Sequence, residues 1–84
     1  MPEGTRAGEL LGARVRQMRT RRGLTQVIVA ERSGLPQSHV SEIERGVMIP
    51  NLVTLLRLAA ALECKASTLV AALDGADVDS ILAR

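Results

Sequence analysis

The sequence predicts an all-α domain of five short helices, with a short extra helical stretch at the C-terminal end. Three observations lead there. Apolar residues recur at helical spacing, first at Leu11, Val15 and Met18, and later at Leu52, Leu55, Leu58, Ala59 and Leu62. Two further amphipathic patterns meet at Ser33-Gly34-Leu35-Pro36, a break so brief that only a tight corner fits it. Residues suited to helix ends, Thr25, Gly34, Gly46 and Asn51, stand where those patterns start and stop. Eighty-four residues make one domain, small enough that a partner subunit would help to hold its core. Without Phe, Tyr or Trp, that core has to be built from Leu, Val, Ile, Ala and Met.

Taken in order, residues 1–8 hold Pro2, Gly4 and Arg6 without periodicity and read as a flexible arm. A helix is expected from Glu9 to about Arg22, with Leu11, Val15 and Met18 turned inward and Arg14, Arg16, Arg21 and Arg22 on the remaining surface. Thr25 can cap a second helix with its hydroxyl, and Gly34 can take the positive φ that closes it. A third helix is expected from Pro36, whose missing N–H costs nothing in a first turn, to about Arg45. Val29, Ala30, Leu35, Val40 and Ile43 would meet in a shared core between these two crossed helices, leaving Gln37, Ser38, Ser41 and Glu42 outward. Gly46 ends that helix, and Val47-Met48-Ile49 leads to Pro50. Asn51 should cap a fourth helix through about Leu62, with Leu52, Leu55, Leu58, Ala59 and Leu62 inward and a second apolar stripe, Val53, Leu56 and Ala60, on another side. That helix is apolar nearly all round, so both faces should be covered. Ala66 to Leu73 gives a fifth helix, which closes a domain spanning residues 9–73. Residues 74–84 form a C-terminal extension in which Val78, Ile81 and Leu82 fall on one helical side.

The outward face of the third helix is short-chained and hydrogen-bonding, which suits base edges in a major groove. Charge supports that reading through its distribution. Residues 1–45 hold eight Arg against five Glu, whereas residues 46–84 hold three basic residues against four acidic ones. The basic half carries the corner, as phosphate neutralisation requires, and the small excess favours a dimer. Lack of aromatic residues argues against single-strand and RNA modules, which stack bases on such side chains, and leaves double-stranded DNA as the better partner. Arg6 alone is thin support for an arm reaching into a minor groove.

Other classes find little footing. Cys64 stands alone, with no disulfide framework and no CxxC metal pattern, and reads as a small buried hydrophobe. His39 has no Cys, second His or paired carboxylate at metal-ligand spacing, and no nucleophile it can meet on its own helix. No cofactor, metal or catalytic set is expected, and the chain reads as no enzyme. With no apolar run near membrane length and no signal-peptide core, a cytoplasmic location is expected.

From about Leu11 to Leu62 the chain resembles the DNA-binding domain of Cro and phage-repressor type (XRE-like) transcriptional regulators. The resemblance rests on Arg19 and Gly23-Leu24-Thr25-Gln26 before the corner, Ala30 and Gly34 around it, Ser41-Glu42-Ile43-Glu44-Arg45-Gly46 after it, and Pro50-Asn51-Leu52 with Leu55 and Ala59 beyond. It implies a five-helix repressor-like fold with its helix-turn-helix at about residues 25–45. By the same resemblance Gln37, Ser38, Ser41 and Glu42 are the base-facing residues, Gln26 and Arg45 hold phosphates, and Arg19 pairs with Glu44 to tie the first helix to the third. A carboxylate at Glu42 sits awkwardly in a groove walled by phosphates, and pairing with a neighbouring Arg is the other use for it. Val27 and Ile28 depart from the pattern, which has polar residues there; they are either isolated surface residues or a partner contact.

These expectations combine into a sequence-specific regulator, a repressor acting as a homodimer on a pseudo-palindromic operator. The dimer interface is expected at Val53, Leu56, Ala60, Val70, Leu73, Ile81 and Leu82, unless those residues complete the monomer's own core. The rival reading is a protein-interaction module such as an antitoxin that sequesters a protein partner, with Val27, Ile28 and the C-terminal apolar residues as its contact.

Overall fold

The computed structural model describes residues 5–82, with side chains through Ile81. Its elements are α1 (Arg6–Arg21), α2 (Gln26–Ser33), α3 (Gln37–Glu44), α4 (Leu52–Ala61), α5 (Ala66–Val70), a 3₁₀ turn (Ala71–Leu73) and α6 (Val78–Leu82). The fold is all-α, as the periodicities require.

Helix α1 begins earlier than its apolar pattern does. The Thr5 hydroxyl accepts a hydrogen bond from the Gly8 amide at 3.2 Å, which caps the helix at Arg6 and makes residues 6–8 helical instead of part of an arm. Residues 1–4 of that expected arm lie outside the described residues. The cap of α2 is local chemistry of the same kind, the Thr25 hydroxyl accepting from the Ile28 amide at 3.1 Å. Gly34 closes α2 with φ +74°, a left-handed conformation that admits no Cβ without strain. Pro36 is the extended residue before α3 and not its first helical one, so α3 starts at Gln37 with no side-chain cap. Asn51 caps α4, its side-chain oxygen accepting from the Thr54 amide at 2.8 Å. The expected fifth helix is split, its last turn tightening into the 3₁₀ segment.

Helix α1 lies against α3, the 3₁₀ turn, α5 and α6, while α2 packs on both α3 and α4. Val15, Val29, Val40, Ile43, Leu58, Leu62 and Leu69 are wholly buried where these elements meet. Each such side chain contributes roughly 1.5–3 kcal/mol of burial, so a core of this size outweighs chain entropy only narrowly. Met18, Leu24, Leu35 and Met48 close its rim.

Leu52 overturns one expectation. It is 69% exposed, because side chains lean toward a helix's N-terminus and the first residue of α4 therefore hangs past the packed surface. Val53 (59% exposed), Leu56 (50%) and Ala60 form the outer side of α4, so within one chain only one face of this helix is covered. Among the described residues, no helix is long and apolar enough to cross a membrane.

Candidate nucleic-acid interface

The first turns of α2 and α3 come together across the corner, and a chain of side-chain hydrogen bonds runs through them. It starts at Glu44, the last residue of α3. Its carboxylate accepts from Arg19 twice, from Nε at 2.6 Å and from Nη2 at 3.0 Å, in the two-pronged geometry that a guanidinium favours. Arg19 Nη1 also donates to the Leu24 carbonyl at 2.9 Å. Both side chains are largely withdrawn from water, at 13% and 3% exposure. The hydrogen bond to Glu44 raises the Arg19 pKa above its ordinary value against the opposing effect of burial, so the guanidinium stays charged.

Glu44 Oε1 accepts a further hydrogen bond, from Gln26 Nε2 at 3.1 Å, and Gln26 Oε1 in turn accepts from Gln37 Nε2 at 2.8 Å. A carboxylate can only accept, which fixes the order: Gln26 must turn its amide nitrogen to Glu44 and its carbonyl to Gln37. This relay escapes the sequence, since Gln26 and Gln37 are eleven residues apart and only the corner brings them together.

Gln37 and Ser38 are exposed at the start of α3, while Ser41 and Glu42 are half-buried further along it. Arg45 is exposed at the C-cap of α3. Among the described residues, neither Arg45 nor Glu42 has an opposite charge within ion-pair distance. His39 is half-buried. Two of the surface arginines are structural. Arg14 donates to the Thr68 carbonyl at 2.6 Å, and Arg22 to the Glu63 carbonyl at 2.8 Å. Arg16 and Arg21 remain exposed. Burial pushes the Cys64 thiol up, with nearby Arg22 opposing, so this half-buried side chain stays a protonated thiol at neutral pH. Val27 and Ile28 are exposed at the start of α2.

A family model described as helix-turn-helix matches residues 15–69, and with them every element of this relay. The chain belongs to the helix-turn-helix family. Within it the chain is of the Cro and phage-repressor type, a family of DNA-binding transcriptional regulators and not of enzymes. It is 43% identical over 54 residues to the uncharacterised HTH-type transcriptional regulator y4dJ of Sinorhizobium fredii, matching 64% of this chain and 70% of that one. Among solved structures, the restriction-modification controller protein C.AhdI of Aeromonas hydrophila superposes with a TM-score of 0.72 at 40% identity, over 74% of this helix-turn-helix chain and 94% of the controller. The phage P22 c2 repressor, solved in complex with a synthetic operator, superposes with a TM-score of 0.67 at 30% identity over 71% and 91% of the two chains.

Proposed function

We propose that the chain is a repressor that binds a pseudo-palindromic operator in double-stranded DNA as a homodimer. The observation that carries this reading is the relay ending at Gln37. With one Nε2 hydrogen given to Gln26, the exposed Gln37 side chain keeps a second Nε2 hydrogen and its carbonyl oxygen for other partners. That is the donor and acceptor pair which matches N7 and the N6 amino group of adenine in the major groove. Ser38, Ser41 and Glu42 supply the other base-facing groups along α3. Gln26 has one amide hydrogen left for a phosphate beside the first-turn amides of α2, and Arg45 offers an exposed charge at the other end of the recognition helix.

Dimerisation is supported by the uncovered outer side of α4. Val53, Leu56 and Ala60 lie open there, and Val70 is exposed with Leu73 and Ile81 half-buried. Leu82 belongs to the same proposed surface, although its side chain lies outside those described. Leu52 joins the exposed set. A two-fold contact on this surface would set two copies of α3 in successive major grooves about 34 Å apart.

Selecting bound duplexes from a random pool tests the whole reading. An inverted repeat with half-sites about one helical turn apart is expected. An asymmetric motif would remove the two-fold dimer, and recovery of no motif would remove sequence-specific DNA binding.

A further inference from the structure

Helices α1 and α3 meet at Gly12 more closely than side chains allow. A Cβ placed on Gly12 would run into the Ile43 carbonyl oxygen and stand 2.8 Å from the Glu44 carbonyl oxygen. One turn earlier, a Cβ on Gly8 would stand 2.7 Å from the Gly46 carbonyl oxygen. All of these obstacles are main-chain atoms, so no change of rotamer relieves them; the helices would have to separate or tilt.

Gly46 has φ +79°, and that alone calls for glycine. Gly12 has no such need. It lies inside α1 with ordinary helical backbone, where glycine is less favourable than alanine. What its missing Cβ permits is the seating of the C-terminal end of α3. Glu44 is thereby held twice, its main chain against Gly12 and its carboxylate by Arg19 and Gln26.

We infer that Gly12 is a positioning residue for base recognition: its lack of a side chain sets how deeply α3 sits on α1, and hence the angle at which Gln37 and Ser38 leave the surface. The inference rests on the DNA reading above. Helix α3 spans eight residues, about 12 Å, and moves as a rigid rod. A shift of ~1 Å at Glu44 is therefore carried to its other end, whereas a binding constellation tolerates only about 0.5 Å. Phosphate contacts from the flexible Arg45 side chain absorb such a shift, so sequence preference should suffer before general affinity does.

The full chain is tested as Gly12→Ala, Gly8→Ala and Gly23→Ala on two probes, the duplex selected by the unmodified protein and a scrambled duplex of equal length, with the folded fraction measured by circular dichroism. Gly23 is the control, since its φ of +68° makes alanine strained while nothing lies within 4 Å of the added Cβ. Gly12→Ala should lower the preference for the selected duplex about tenfold, with affinity for the scrambled one within about twofold of the original. Gly8→Ala should act in the same direction, and Gly23→Ala should lose stability but keep the preference. Unchanged preference in Gly12→Ala overturns the inference, as does an equal loss in Gly23→Ala. If Gly12→Ala does not fold, Gly8→Ala decides on the same terms. Failure of the unmodified chain to select any sequence is a separate result that defeats the DNA reading and this inference with it.

Discussion

At Glu44 three donors converge on one carboxylate, two from Arg19 and one from Gln26. Removing Arg19 would strand that charge away from water, so Arg19→Ala should cost about 3–5 kcal/mol, read as a lowered urea midpoint. An unshifted midpoint would mean that water reaches Glu44 freely. Gln37→Ala should cost about 1–3 kcal/mol on the selected duplex and relax preference at one base position; equal affinity for that duplex would take Gln37 out of the base-reading set. Arg45→Ala should weaken binding to every duplex and flatten the salt dependence by about one unit, and an unaltered slope would exclude Arg45 as a phosphate contact. Of these side chains, the Arg19–Glu44 pair is the one that the resemblance implies and the structure contains, while the roles proposed for Gln37 and Arg45 rest on the same register. The tie between Gln26 and Gln37 was not legible, because amide side chains pair by proximity and carry no spacing rule across a corner.

Element by element, caps and breaks made the helices readable. Thr25, Gly34 and Asn51 each act on backbone groups a few residues away, and chemistry so local survives whatever the rest of the chain does. Asn51→Ala should accordingly lower stability by about 1 kcal/mol in thermal or urea unfolding without changing which duplex is preferred. A changed preference would show that the start of α4 contributes to the interface. Periodicity served less well at helix ends. Capped by Thr5, α1 starts at Arg6, three residues before the expected Glu9, and Leu52 points outward at the first position of α4, where the helical wheel describes a surface that has already run out of neighbours.

For the whole molecule, the open question in the sequence was whether the outer apolar side of α4 finishes one subunit's core or joins two. Val53 and Leu56 are at least half exposed in the single chain, which favours the second use. Leu56→Asp should convert a dimer to a monomer by sedimentation or light scattering, and a dimer that persists would move the interface elsewhere. Backbone chemistry and repeats of three and four are enough to place the helices, the corner, most of the buried set and the exposed Gln37 and Ser38 of α3. Tertiary structure alone decided that α1 presses its glycines onto the end of α3 and that one carboxylate orients a glutamine two side chains away. Those outcomes depend on the angle and distance at which helices cross, set by the packing of all their side chains together, and no single stretch of chain carries that information.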